Sequence, residues 1–174
     1  MTTPILLVED EPNDVFFFEH ALKKSGITHP LHVARDGQEA LDYLAGVDKF
    51  SDRAAYPIPQ LVVLDLNLPR ATGFEVLRQV RQHPELQQLI VLVLTSSASD
   101  DDITKAYVLG ANAYLVKSAE VGKLVTLVEA LGNFWLKHNV PPPIVRAHLP
   151  VHDANRRRMR ECEGPSAKVF RSGS

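Results

Sequence analysis

The sequence predicts an α/β fold: a doubly wound, parallel sheet of five strands with five helices on its two faces. Three observations carry that prediction. Short, wholly apolar runs alternate with longer amphipathic runs through the first 140 residues. The apolar runs are strand-sized and apolar on both faces, as in a parallel sheet covered on both sides. The amphipathic runs carry helix start and stop signals, so the order is β-α repeated five times, wound by right-handed crossovers.

The elements follow in order. Ile5–Val8 reads as the first strand. The first helix runs from about Asn13 to Ser25, with Lys23 and Lys24 complementing the dipole in its last turn and Gly26 just beyond. Leu31–Ala34 is a weaker strand, and Asp36-Gly37-Gln38-Glu39 opens the second helix with capping-box spacing. A long segment, about Val47–Pro59, leads to the third strand, Leu61–Leu64. The third helix covers about Gly73–Gln82 and stops before Pro84. Leu89–Leu94 is the fourth strand. The fourth helix starts at Ser99, with Asp100, Asp101 and Asp102 in a first turn whose dipole favours anions. Ala113–Val116 is a weaker fifth strand, and the fifth helix runs from about Ala119 to Lys137 with Ser118 as its N-cap.

Composition bounds the rest. The 174 residues are 45% hydrophobic and 23% charged, enough to bury the core of one ordinary domain and contrary to a disordered or collagenous chain. Charge is uneven: residues 1–140 hold 12 Lys/Arg against 18 Asp/Glu, whereas residues 141–174 hold 7 against 3. Pro141-Pro142-Pro143 marks the break, since no helix interior accommodates it. We therefore expect a domain over 1–140 and a basic, proline-initiated tail over 141–174. The formal net charge of −2 argues against nucleic-acid binding driven by bulk positive charge. Arg156, Arg157, Arg158 and Arg160 read as part of a solvated tail. The lone Cys162 allows neither an intrachain disulfide nor a CxxC site, which fits a reducing, cytoplasmic location. The start of the chain lacks a basic n-region and an adequate apolar h-region, and the apolar stretches are too short to span a membrane.

In doubly wound sheets the ligand site lies beyond the carboxyl ends of the strands. The first strand ends in Glu9-Asp10-Glu11, the third in Asp65, the fourth in Thr95-Ser96-Ser97 and the fifth in Lys117. Clustered carboxylates repel one another unless a cation neutralises them, and an oxygen-only site with few protein ligands suits Mg²⁺. A lysine supplies a point charge suited to a phosphoryl group. A carboxylate beside a metal can act as a nucleophile toward phosphorus. The chemistry read from these residues is phosphoryl transfer onto Asp65. Glu11, Asp14 and Asp100–Asp102 read instead as solvated or capping residues.

These motifs, Leu6-Leu7-Val8-Glu9-Asp10-Glu11, Leu64-Asp65-Leu66-Asn67-Leu68-Pro69 with Gly73, Leu94-Thr95-Ser96 and Tyr114-Leu115-Val116-Lys117, resemble the receiver domain of bacterial two-component response regulators. The resemblance covers about residues 4–137, with the motifs in the family's order. It implies a flavodoxin-like (CheY-like) sheet of order 2-1-3-4-5 and transfer of a phosphoryl group from a sensor histidine kinase to Asp65. It further implies that Asp10, Asp65 and the main-chain carbonyl of Asn67 ligate Mg²⁺, with Glu9 acting through a coordinated water. Lys117 would pair with the phosphoryl oxygens. Thr95 would turn its hydroxyl to the phosphoryl group and Tyr114 would move inward behind it, changing the face made by the fourth helix, fifth strand and fifth helix. One departure is Ser118, where receivers usually carry a proline joined by a cis peptide. A cis bond before a non-proline residue costs about 3–4 kcal/mol, so the loop is either trans and locally different or held cis by tertiary contacts.

Two features resemble a subgroup, the small stand-alone receivers that serve phytochrome-type kinases: the long Val47–Pro59 segment and the run Asn133-Phe134-Trp135-Leu136 leading into the prolines. Members of that subgroup can dimerise through the same face, and Phe134 and Trp135 suit such an interface. The expected protein is thus a phosphoacceptor that signals by binding partners and is not a turnover enzyme. A phosphatase of the haloacid-dehalogenase type also uses an aspartyl phosphate. That type carries a second aspartate where this sequence has Asn67, which cannot donate and recover a proton.

Overall fold

The computed structural model describes residues 3–118 and 120–142. The tail expected over 141–174, from residue 143 onward, and with it Cys162 and the tail arginines, lies outside the described residues. The strands are β1 (Ile5–Val8), β2 (Leu31–Ala34), β3 (Leu61–Leu64), β4 (Ile90–Thr95) and β5 (Ala113–Val116). Between and after them run α1 (Pro12–Lys24), α2 (Gly37–Ala45), α3 (Gly73–Gln82), α4 (Asp100–Val108) and α5 (Val121–Leu131). All strands are parallel and their order is β2-β1-β3-β4-β5. This is the flavodoxin-like, CheY-like sheet with five helices that the sequence predicts.

Side-chain alternation along the strands divides the core in two. Leu6, Val8, Val62, Leu64, Val91 and Val93 face α2, α3 and α4. Ile5, Leu7, Leu61, Val63, Ile90 and Leu92 face α1 and α5. The central strands β1 and β3 are buried throughout, whereas the edge strands β2 and β5 are mostly half-buried. This explains why their sequence signals are weaker.

Local chemistry sets the helix ends. Asp36 caps α2 by accepting the Glu39 N–H at 2.8 Å, while the Glu39 carboxylate reaches past the cap to the Arg35 N–H. The reciprocal capping box lies at α3 instead, between Thr72 and Glu75. The Val47–Pro59 segment folds back on α2. Its Arg53 guanidinium donates to the Tyr43 and Leu44 carbonyls at the helix end and to the Tyr56 carbonyl. Tyr56 packs edge-on against His32, Tyr43 and Phe50, and Phe50 lies tilted against Tyr43.

Three boundaries differ from expectation. β4 extends to Thr95, because Thr95 pairs with Val116 and its carbonyl accepts the Lys117 N–H at 2.8 Å. Glu120, not Ser118, occupies the N-cap position of α5, and the Ser118 hydroxyl accepts the Glu120 N–H just before it. After Leu131 the helix widens into π turns over Gly132–His138. A Cβ on Gly132 would lie 2.3 Å from Ile27 Cδ1, so this residue marks a close approach to the loop after α1. The Lys117–Ser118 peptide is trans.

Candidate functional site

The carboxyl edge of the sheet gathers the residues singled out from the sequence. β1 delivers Glu9 and Asp10, and β3 delivers Asp65, whose N–H bonds the Val8 carbonyl at 3.0 Å. These three side chains each offer a carboxylate oxygen within 4.8 Å of the others. Glu9 and Asp65 are buried at 3% and 5% exposure, while Asp10 faces solvent. Two buried carboxylates and one open one, all oxygen donors, fit a hard divalent cation reached from the solvent side.

Lys117 enters from the end of β5. Its ammonium donates to Glu9 Oε2 at 2.6 Å, Asp14 Oδ2 at 2.7 Å and Asp65 Oδ2 at 2.7 Å. An ammonium has three donors, and each is used. Burial alone would lower the lysine's pKa, but its hydrogen bonds to Asp14, Asp65 and Glu9 outweigh it and raise the value above the ordinary 10.5. Burial pushes Glu9 above 4.5, partly offset by Lys117. The second oxygen of each buried carboxylate is held by the main chain: the Glu11 N–H reaches Glu9 Oε1 and the Asn67 N–H reaches Asp65 Oδ1, both at 3.2 Å.

The loop after Asp65 has little freedom. The Gly73 N–H bonds the Leu66 carbonyl at 3.0 Å, and a Cβ on Gly73 would lie 2.2 Å from the Asp65 carbonyl oxygen. Glycine is therefore what lets α3 start directly against the backbone of Asp65. On the far side, the Gly37 N–H bonds the Pro69 carbonyl, and Arg70 pairs with the Asp36 carboxylate at the start of α2.

Thr95 is fully buried at the end of β4, and its hydroxyl has no hydrogen-bond partner among the described residues. A buried hydroxyl left unpaired costs about 1–3 kcal/mol. By strand alternation it shares a face with Val93 and, on the neighbouring strand, with Tyr114. The Tyr114 hydroxyl donates to the Ser97 carbonyl at 3.1 Å, and burial raises its pKa above 10. Ser97 Oγ in turn donates to Asp102 in the first turn of α4 at 2.6 Å. A chain of contacts thus runs from the fifth strand to α4.

The structure brings Glu9, Asp10, Asp65, Asn67 and Lys117 to one spot and sets Thr95 and Tyr114 on one face beside it. It also brings in Asp14, which sequence reasoning assigned to solvent. The available signal was spacing: Asp14 lies four residues after Asp10, within the first turn of α1 and so above the strand end. Glu11 keeps its expected capping role, accepting the Asn13 N–H at 3.4 Å. Phe134 and Trp135 part ways. Trp135 packs against the α1–α5 side of the core, whereas Phe134 remains 55% exposed.

Comparisons with known proteins agree with this geometry. Residues 5–129 match the response regulator receiver domain. The chain is 40% identical over 133 residues to response regulator Rcp1 of Synechocystis sp., covering 76% of this chain and 88% of the relative. It is 38% identical over 138 residues to a probable methanogenesis regulatory protein of Methanothrix harundinacea, covering 79% and 86%. Among solved structures, the Mn²⁺-bound form of Rcp1 superposes with a TM-score of 0.74 at 38% identity, over 80% of this chain and 99% of that one. The phosphorylated cyanobacterial phytochrome response regulator RcpA gives 0.76 at 36% identity, over 82% and 99%.

Proposed function

The chain belongs to the response regulator receiver domain family, and we propose that it is a single-domain response regulator whose Asp65 accepts a phosphoryl group in a Mg²⁺-dependent reaction. Receivers act in phosphorelay signalling, take phosphate from histidine kinases and bind a divalent metal at an acidic pocket. Among the described residues, no helix is long and apolar enough to cross a membrane. The observation that carries the proposal is the buried Asp65 carboxylate beside Glu9 and Asp10 and against the Lys117 ammonium.

The donor is a sensor histidine kinase or a histidine phosphotransfer domain. The phytochrome connection of RcpA supports a phytochrome-type kinase in that role. An Asp65 oxygen forms the new P–O bond, the P–N bond of the donor's phosphohistidine breaks, and the released imidazole recovers its proton from solvent. Asp10 and Asp65, with the Asn67 carbonyl and Glu9 beside them, would hold Mg²⁺, and the ion would supply neutralisation of charge on the phosphoryl oxygens. Lys117 trades a carboxylate for a phosphoryl oxygen, and the unpaired Thr95 hydroxyl turns to another. The space this opens beside β4 admits the Tyr114 ring, and its release of Ser97 shifts α4. The output face is then α4, β5 and α5, where Tyr107, Val108, Val116 and Val121 are exposed. That face binds a target or a second copy of the chain. The protein is a phosphoacceptor of the cytoplasm, not a turnover enzyme. Residues 1–140 hold the whole chemistry, and the tail over 141–174 is dispensable for it.

The test is labelling with acetyl phosphate, and binding of beryllium fluoride, in Mg²⁺. Wild type gains one base-sensitive phosphoryl group and Asp65→Asn gains none. Equal labelling of Asp65→Asn overturns the assignment.

A further inference from the structure

The Lys117 ammonium touches three carboxylates, but they are not equivalent. Glu9 and Asp65 belong to the cluster that fits a divalent cation, and Asp14 does not. Asp14 is thus the one anchor of this lysine that the cation leaves free. Its side chain is 40% exposed on the first turn of α1. A cavity of about 50 Å³ lies beside it, lined by Glu9, Asp14, Phe17, Lys117 and Val121 among others. The ammonium therefore has both a partner and room there. Two cations of like sign compete for Glu9 and Asp65, so whatever draws Lys117 toward α1 favours the metal.

Building on the phosphoacceptor reading of Asp65, we infer that Asp14 is a positioning residue that draws the Lys117 ammonium toward α1, so that the lysine stays beside Asp65 without competing for the metal carboxylates. Without Asp14 the ammonium has only Glu9 and Asp65 to bond, and Mg²⁺ must displace it from both.

The experiment is Mg²⁺ titration by calorimetry of full-length wild type, Asp14→Asn, Asp14→Glu, Lys117→Ala and the Asp14→Asn/Lys117→Ala double variant. Labelling rates against Mg²⁺ concentration accompany it, and circular dichroism checks each fold. Asp14→Asn weakens Mg²⁺ binding about tenfold, a coupling typical of groups in direct contact. Its labelling rate at saturating Mg²⁺ stays near wild type. Asp14→Glu restores the affinity. In the Lys117→Ala background the same Asp14→Asn change has little effect, because no ammonium remains to be positioned. Equal weakening with and without Lys117 overturns the inference, since Asp14 then acts only through its own charge. Unchanged affinity in Asp14→Asn, or a loss confined to the saturated rate, overturns it too. In all three cases wild type still binds Mg²⁺ and the reading of Asp65 stands. A wild type that binds no Mg²⁺ removes both.

Discussion

Replacing Gly73 by alanine tests how Asp65, the proposed phosphoacceptor, is placed. A Cβ at this position would lie 2.2 Å from the Asp65 carbonyl oxygen and 2.7 Å from Leu66 Cα. Ordinary contact begins at 3.4 Å, so the shortfall to the oxygen is 1.2 Å. Both neighbours are backbone and neither can rotate away. Forcing a methyl group into packed structure costs about 1–3 kcal/mol. The helical preference of alanine over glycine returns up to about 1 kcal/mol, and less at the first residue of α3. The expected net loss is about 2 kcal/mol, a midpoint lower by about 6 °C for a domain of this size. The strain falls on Asp65 itself, and misplacing a reacting group by about 1 Å can cost about a hundredfold. Mg²⁺ affinity and labelling rate should therefore fall together. Gly122 on α5 is the matched control: a Cβ there meets nothing within 4 Å among the described residues. Gly122→Ala should stabilise by about 0.4–1 kcal/mol through the unfolded chain. Urea unfolding without metal, followed by Mg²⁺ calorimetry, reads both variants. A Gly73→Ala protein as stable as wild type, or one that binds Mg²⁺ equally well, would refute the close-approach account.

Thr95→Val removes the unpaired buried hydroxyl at nearly constant volume. It should stabilise the unphosphorylated protein by about 1 kcal/mol, while NMR shows labelling at Asp65 without a response around Tyr114; destabilisation would contradict it. Burial holds His29 and His32 below their ordinary 6.5, so the fold binds fewer protons than the unfolded chain. Stability is then lost as pH falls through 6.5, and His32→Gln should flatten part of that slope in urea titrations between pH 7.5 and 5. Phe134→Ala should weaken a dimer by over about 1 kcal/mol with little change in unfolding midpoint, because the ring is 55% exposed. Truncation after Val140 should leave phosphotransfer intact. Sedimentation with and without beryllium fluoride checks the first, and acetyl phosphate labelling the second.

What could be read in advance follows the strength of each physical signal. β1 and β3 announce themselves because both faces are buried, so every residue in them is apolar. The order of acidic, hydroxyl and lysine residues at the strand ends was legible because the parallel winding puts all those ends on one edge. Asp14 was missed because its spacing from Asp10 lifts it above the strand end but does not record how α1 leans over the lysine. The Arg53 clamp on α2 was missed for a similar reason: its three acceptors are main-chain carbonyls, which leave no mark in sequence. Gly132, where the last helix widens, lies against a side chain more than a hundred residues away, Ile27. Ser118 looked like a cap because its hydroxyl does accept an N–H, but the helix proper begins after Glu120.

The three bonds of Lys117 have a consequence for how the chain comes to be made. An acidic edge that required an ion for its stability would behave like a zinc finger, unfolded until loaded. Here the fold carries a built-in counter-ion, delivered by the last strand of the sheet and reaching back to carboxylates 103 and 108 positions earlier. The edge closes only when β5 docks, so neutralisation of the acidic cluster coincides with completion of the sheet. On the proposed function, a chelator should then strip metal from the mature protein without unmaking it: the divalent ion would take part in signalling and would not be a staple of the architecture.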